Sequence, residues 1–142
     1  LEAYFVAFPA VRSFMDEIVQ QTKETGYTET IFGRRRPIPD LVSSNFRVRQ
    51  AAERQAMNAP IQGLAADIFK IALVAIDRSL NEMEAESRLV LQVHDEVILE
   101  VHPDEQEAIR DMTIDRMRGA AELRVPLEVN LATGPTWAQA KA

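Results

Sequence analysis

The chain has 142 residues, enough for one domain of ordinary size with a real core, and its 46% hydrophobic and 27% charged content is typical of a globular protein. Zero cysteines exclude disulfides and thiolate metal sites and fit a reducing, cytoplasmic setting, while two histidines speak against a histidine-rich zinc centre. A net charge of −6 argues against a protein that simply coats nucleic acid. No membrane partner is expected, because no apolar run approaches the ~20 residues of a bilayer span and no basic-then-apolar leader opens the chain. The opening Leu1-Glu2-Ala3 lacks methionine, which suggests a segment of something longer.

Apolar residues at Phe5, Phe8, Val11, Phe14, Met15, Ile18 and Val19 follow a helical rhythm that Pro9 interrupts. This predicts one helix ending near Pro9 and another from there to about Thr25, stopped by Gly26. Residues 27–32 alternate and favour a strand. Gly33 leads into Arg34-Arg35-Arg36-Pro37-Ile38-Pro39-Asp40, where two prolines forbid helix and suggest an extended arm. Ser43, Ser44 and Asn45 offer N-caps for a helix through Asn58, on which Arg47, Gln50, Arg54 and Asn58 fall roughly on one stripe. Pro60 then starts a further helix over about 61–83, apolar nearly all round from Leu64 to Ile76 apart from Asp67 and Lys70. Such a helix should be buried on more than one side and serve as the pillar of the core.

Two runs rich in β-branched and large aliphatic residues, 89–93 and 97–101, flank His94-Asp95-Glu96 and predict a hairpin with these polar residues at or beside its tip. His102-Pro103-Asp104-Glu105 opens another helix to about Ala121. Residues 125–131 alternate like a strand, and Gly134-Pro135 begins an irregular tail in which Trp137 should pack. The fold class that follows is α+β, with long helices packed on one face of a small antiparallel sheet made by the hairpin and the Leu127 strand.

Three patches carry chemistry: the basic arm with its double-proline turn, the helix stripe of arginine and amides, and the carboxylate hairpin. A carboxylate on a tight turn between rigid strands suits a divalent cation, since hard cations take oxygen ligands, but one carboxylate rarely makes a magnesium site alone. Asp95 could equally be a turn-forming aspartate. Between Arg34 and Arg54 six arginines face only Asp40 and Glu53, which reads either as a footprint for phosphates or as a solvated arginine face. Lys70 and Arg78 read as ordinary helix-surface charges.

Taken together and in order, these segments resemble one family. Gly33-Arg34-Arg35-Arg36-Pro37-Ile38-Pro39-Asp40-Leu41 is followed by Ala52-Glu53-Arg54-Gln55-Ala56-Met57-Asn58-Ala59-Pro60-Ile61-Gln62-Gly63, then Ala65-Ala66-Asp67-Ile68 and Gln92-Val93-His94-Asp95-Glu96. With Val125-Pro126-Leu127, Gly134 and Trp137 closing the series, the chain resembles the C-terminal part of the family A DNA polymerases over essentially its whole length. The resemblance implies the end of the fingers in 1–41 and most of the palm in 42–142. It implies that Asp95 is one of two catalytic aspartates holding two magnesium ions for nucleotidyl transfer. Glu96 would tune that site or only hydrogen-bond nearby, and His94 would face the primer terminus. Arg54, Asn58 and Gln62 would touch the minor groove near the primer end, where acceptors are common to all base pairs. Gln92 is a further DNA candidate or an edge-strand polar residue. Arg34, Arg35 and Arg36 would contact phosphates of primer-template DNA. Pro37 departs from the family pattern, which often has an aromatic residue there.

The second aspartate and the helix that grips deoxynucleoside triphosphates are not in these residues, so the chain alone is expected not to polymerise. Two other classes of function remain open: a non-catalytic DNA-binding or partner-docking module, and a small metal-dependent nuclease using His94, Asp95 and Glu96. An uncovered edge of the sheet would invite self-association.

Overall fold

Proline at its start and glycine at its end bracket the first long element. In the computed structural model, which describes residues 2–141, α1 (Glu2–Ala7) gives way at Phe8 to α2 (Pro9–Thr25). Pro9 stands in the first turn, where no N–H is needed. Gly26 adopts φ 83° and donates its N–H to Thr22 O at 2.8 Å, a left-handed cap that a Cβ would disfavour. Leu1 and Ala142, at the outer ends of the two expected subdomains, lie outside the described residues. The chain falls into two compact units, Leu1–Asp67 and Ile68–Ala142.

In the first unit β1 (Tyr27–Glu29) and β2 (Arg35–Pro37) pair antiparallel, with Glu29 opposite Arg35 and Thr28 opposite Arg36. The strand expected over 27–32 is therefore shorter. Thr30 N–H bonds Arg34 O, Gly33 N–H bonds Thr30 O, both at 2.9 Å, and Gly33 turns the chain at φ 81°. The arginine run is extended, as expected, but Arg35, Arg36 and Pro37 are paired in β2, and Pro39 opens a turn of 3-10 helix (Pro39–Val42) from a position that needs no N–H. Ile38 and Leu41 join Val19, Ala52, Ala56 and Ala59 in this unit's core, with Met57 packed against it. Alanines at these helical positions let the backbone approach closely.

The two helices expected around Pro60 are one, α3 (Phe46–Glu82), 37 residues long. Asn45 caps it, its Oδ1 accepting from the N–H of Arg47 at 3.0 Å. Pro60 lies inside and cannot donate to the carbonyl four residues back, yet the helix continues because Ala56, Ala59 and Pro60 itself are buried. Packing outweighs the local rule. By length and composition α3 could cross a membrane, with an 18-residue window of mean hydropathy 1.6. This corrects the expectation that no run approaches a span, since aliphatic neighbours outweigh Asp67 and Lys70.

In the second unit Ile76, Leu80 and Ile109 form a core with Leu89, Val97, Leu99, Val101 and Met112. The expected burial of this part of α3 on more than one side is not seen: Ala72 and Ile76 are buried but Ile71 and Val74 are exposed, because partners cover one stripe only. The helix ends with Glu84 at φ 51°, flanked by Glu84 N–H to Asn81 O at 3.1 Å and Ala85 N–H to Leu80 O at 3.0 Å. This is a Schellman closure with a glutamate where glycine is usual.

β3 (Arg88–Val93) and β4 (Glu96–Glu100) form the predicted hairpin, with a bulge between Leu89 and Leu91. After a 3-10 turn (Pro103–Glu105), α4 (Gln106–Arg118) stops at Gly119 rather than at Ala121. Residues 125–131 do not pair, so the sheet of this unit is the hairpin alone. The tail is not wholly irregular: Thr136 Oγ1 caps a short α5 (Trp137–Ala140). With helices and two small antiparallel sheets the fold is α+β, as expected.

Glu105 ties the base of the hairpin. Its carboxylate accepts from the Ser87 hydroxyl at 2.5 Å and from the N–H groups of Ser87 and Glu86, each at 3.0 Å. The Ser87 hydrogen bond, then that of Glu86, holds this carboxyl below its ordinary value. A depressed folded value contributes stability above the unfolded carboxyl range and loses it as pH falls through the folded value. The melting temperatures of the chain and of Glu105→Gln should therefore differ most above about pH 5 and converge in stronger acid. Glu84→Gly should stabilise the chain by about 1 kcal/mol in urea titrations, by removing the left-handed cost of a side chain.

Candidate nucleic-acid and metal site

Two separate surfaces carry the predicted site residues, one in each unit. In the second unit the pair Val93–Glu96 closes a two-residue loop, His94 and Asp95. His94 takes φ 53°, a conformation that such loops need and glycine usually supplies. The Gln92 amide braces the loop by donating to His94 O at 2.7 Å. His94 and Asp95 are exposed and Glu96, already in β4, is half-buried. Lys141 Nζ lies 2.7 Å from Glu96 Oε1 and 5.3 Å from the centre of the Trp137 ring. The tail thus docks on the hairpin through a cation, whereas Trp137, expected to pack, is exposed and meets the Lys141 ammonium instead of a core. Asp95 has no ion-pair partner among the described residues.

In the first unit Arg54, Asn58 and Gln62, spaced at intervals of four residues on α3, are all exposed, while Ala52, Ala56 and Ala59 are buried. The helix therefore presents donors on one side and packs with another. Each arginine of β2 and its approach has a partner. Arg34 Nε meets Asp67 Oδ1 at 2.5 Å, and Arg35 Nε meets Glu29 Oε2 at 2.5 Å while stacking over Tyr27 at 4.6 Å. The bond to Glu29 raises the Arg35 value above its ordinary one. With the Gln55 amide turned so that its oxygen faces the arginine, Arg36 Nη2 donates to that oxygen at 2.7 Å. A cavity of about 340 Å³ is lined by Arg34, Arg35 and Arg36 together with Thr28, Thr30 and Gln62.

The family model for DNA polymerase family A matches residues 1–139. The chain belongs to DNA polymerase family A. It is 49% identical over 137 residues to DNA polymerase I of Mycobacterium tuberculosis (strain ATCC 25618 / H37Rv), covering 96% of this chain and 15% of that protein. It is 50% identical over 141 residues to DNA polymerase I of Geobacillus stearothermophilus, covering 99% and 16%. Among solved structures it matches the POL domain of Pol1 from M. smegmatis, in complex with DNA primer-template and dNTP. That match has TM-score 0.96 and 45% identity, and covers 99% of this chain and 25% of that one. The chain thus spans about 15% of the length of these curated relatives.

Magnesium fits these residues in kind and not in number. Asp95 offers hard oxygen donors at an accessible tip, but among the described residues no three His, Cys, Asp or Glu side chains come together as a metal-holding group. Two members of these surfaces were not singled out from the sequence as site residues. Asp67 stood out as a lone acid in an apolar helix and as part of the Ala65-Ala66-Asp67-Ile68 motif, with no role attached to it, and Lys141 gave no signal. Trp137 is the single tryptophan and touches Lys141. Lys141→Ala should therefore shift its emission, and Glu96→Gln should produce the same shift, with the double variant no different from either alone.

Proposed function

We propose that the chain is the C-terminal part of a bacterial DNA-directed DNA polymerase of replication and repair, with residues 1–41 ending the fingers and 42–142 forming most of the palm. The observation that carries this reading is the match over 99% of the chain to a polymerase domain in complex with DNA primer-template and dNTP. Its partners are then primer-template DNA and deoxynucleoside triphosphates, its cofactor magnesium, and its compartment the cytoplasm.

Asp95 is the catalytic carboxylate and metal ligand in this reading. Asp95 would hold magnesium together with carboxylates outside these residues, and the bound metal would supply Lewis-acid polarisation of a 3′-hydroxyl and neutralisation of pyrophosphate charge. The chain's own residues hold and orient. Two paired strands fix the tip that carries Asp95. Lys141 compensates Glu96, which tunes the charge beside Asp95. His94 stands at the primer terminus, with Gln92 bracing the loop and reaching DNA beside it. Arg54, Asn58 and Gln62 supply donors to minor-groove acceptors shared by every base pair, which tests shape without reading sequence. Arg34, Arg35 and Arg36 address phosphates and so set register without specifying bases.

One carboxylate cannot hold two metals, so these 142 residues alone are not expected to extend a primer. A chimera tests both halves of the reading: this chain replacing its matching segment in the Geobacillus stearothermophilus polymerase. The chimera should extend a primer with magnesium, and Asp95→Asn should slow it by about 10³-fold, the scale lost with a charge-stabilising group. A chimera that binds primer-template but does not extend it would favour a binding module. Extension by the chain alone would overturn the expected inactivity.

A further inference from the structure

Asp67 is a nearly buried acid, its side chain 11% exposed, in an otherwise apolar stretch of α3. Burying a carboxylate is costly unless its lone pairs are occupied, and both of its oxygens are. Oδ2 accepts from the Thr30 hydroxyl at 2.8 Å and Oδ1 from Arg34 Nε at 2.5 Å. The Thr30 hydroxyl in turn accepts from the N–H groups of Phe32 and Arg34, each at 3.3 Å. One carboxylate therefore grips the β1–β2 turn at both of its ends.

A second, independent feature points the same way. One helical turn before Asp67, Gly63 lets the turn lie against α3: a Cβ there would stand 2.7 Å from Thr30 Cγ2 and 3.7 Å from Arg34 Cδ. Contact at Gly63 sets how near the turn comes, and the fork on Asp67 sets its rotation.

The geometry of the guanidinium gives this a consequence. Arginine has five donors in a rigid plane, and Nε is only one of them. A carboxylate holding Nε fixes that plane and leaves the two terminal nitrogens to other acceptors, and Arg34 lines the cavity of about 340 Å³ together with Arg35, Arg36, Thr28 and Gln62. A phosphodiester group is the ligand that matches such a fork, because its oxygens accept in the same plane. We propose that Asp67 is the positioning residue of the basic arm, orienting Arg34 for a backbone phosphate of bound DNA. The inference rests on the proposed DNA-contacting role of the arm. It adds which residue sets that contact and by which atom.

The test uses the 142-residue chain and a fluorescein-labelled primer-template duplex, with anisotropy measured from 20 to about 200 mM salt. Arg34→Ala should weaken binding and reduce the slope of log affinity against log salt by about 1, as for one lost phosphate contact. Asp67→Asn keeps the arginine, so the slope should hold while affinity falls roughly 10-fold, as expected for loss of an orienting charge-assisted bond. Arg34→Lys keeps the charge without the fork and should match Asp67→Asn, and the double variant should be no worse than either. An acid that served only the fold would lower the melting temperature without separating Arg34→Lys from Arg34→Ala. Should Asp67→Asn fail to fold, Arg34→Lys still decides, because it leaves Asp67 and Thr30 intact. Binding by Asp67→Asn or Arg34→Lys as tight as that of the unaltered chain overturns the inference alone. Absence of salt-dependent binding by the unaltered chain overturns the DNA-contacting reading, and the inference with it.

Discussion

Thirty-seven residues held in a single helix are the constraint from which the other elements take their places. α3 supplies Ala52, Ala56 and Ala59 to one core and Ile76 and Leu80 to the other. It also carries the exposed row Arg54, Asn58 and Gln62, then Gly63 and Asp67, which seat the turn of the first hairpin. An interruption at Pro60 would separate Arg54 and Asn58 from Gln62 and from the residues that fix the arm. The missing backbone bond at Pro60 is tolerated because the residues on the packed side are small and buried, so the helix gains more from contact than it loses from its ladder.

Charge in the first unit is arranged by pairs rather than by net excess. Arg34 faces Asp67, Arg35 faces Glu29, and Arg36 faces the neutral amide of Gln55. A run that reads as three free cations is thus two ion pairs and one arginine on an amide. Fixed guanidinium groups lose less rotamer entropy when an anion arrives than mobile ones do, and this preorganisation offsets the attraction given up to the carboxylates. The hairpin tip follows a related logic in the second unit, where Lys141 pairs with Glu96 and Asp95 keeps its charge uncompensated among the described residues.

The β3–β4 hairpin, α2 with both its ends, and the Asn45 cap were legible because each rests on neighbours in sequence: β-branched runs, a proline, a glycine, an asparagine. The family was legible because several motifs stand in one order. What escaped depends on distance. Asp67 meets Thr30 across 37 positions, a contact no local pattern announces. Alternation over 125–131 promised a strand, yet no neighbouring strand pairs with it among the described residues, and alternation without a partner remains an unpaired segment. The apolar face of α3 misled in another way, since composition tells how much could be buried and partners decide how much is.

The bulge in β3 has a further consequence. Leu89 pairs with Leu99 and Leu91 with Ile98, so Val90 is an extra residue with no opposite number. Side chains alternate with a period of two, so this extra residue shifts the alternation of β3 alone, and Leu89 and Leu91, two positions apart, lie opposite consecutive residues of the regular strand β4. Leu89 and Leu99 can therefore serve the core while the loop at His94 and Asp95 keeps its own aspect. The arithmetic is that of parity. This hairpin can change length without turning its tip over only by matched additions of two residues to each strand, because each single added pair reverses the face on which the tip lies.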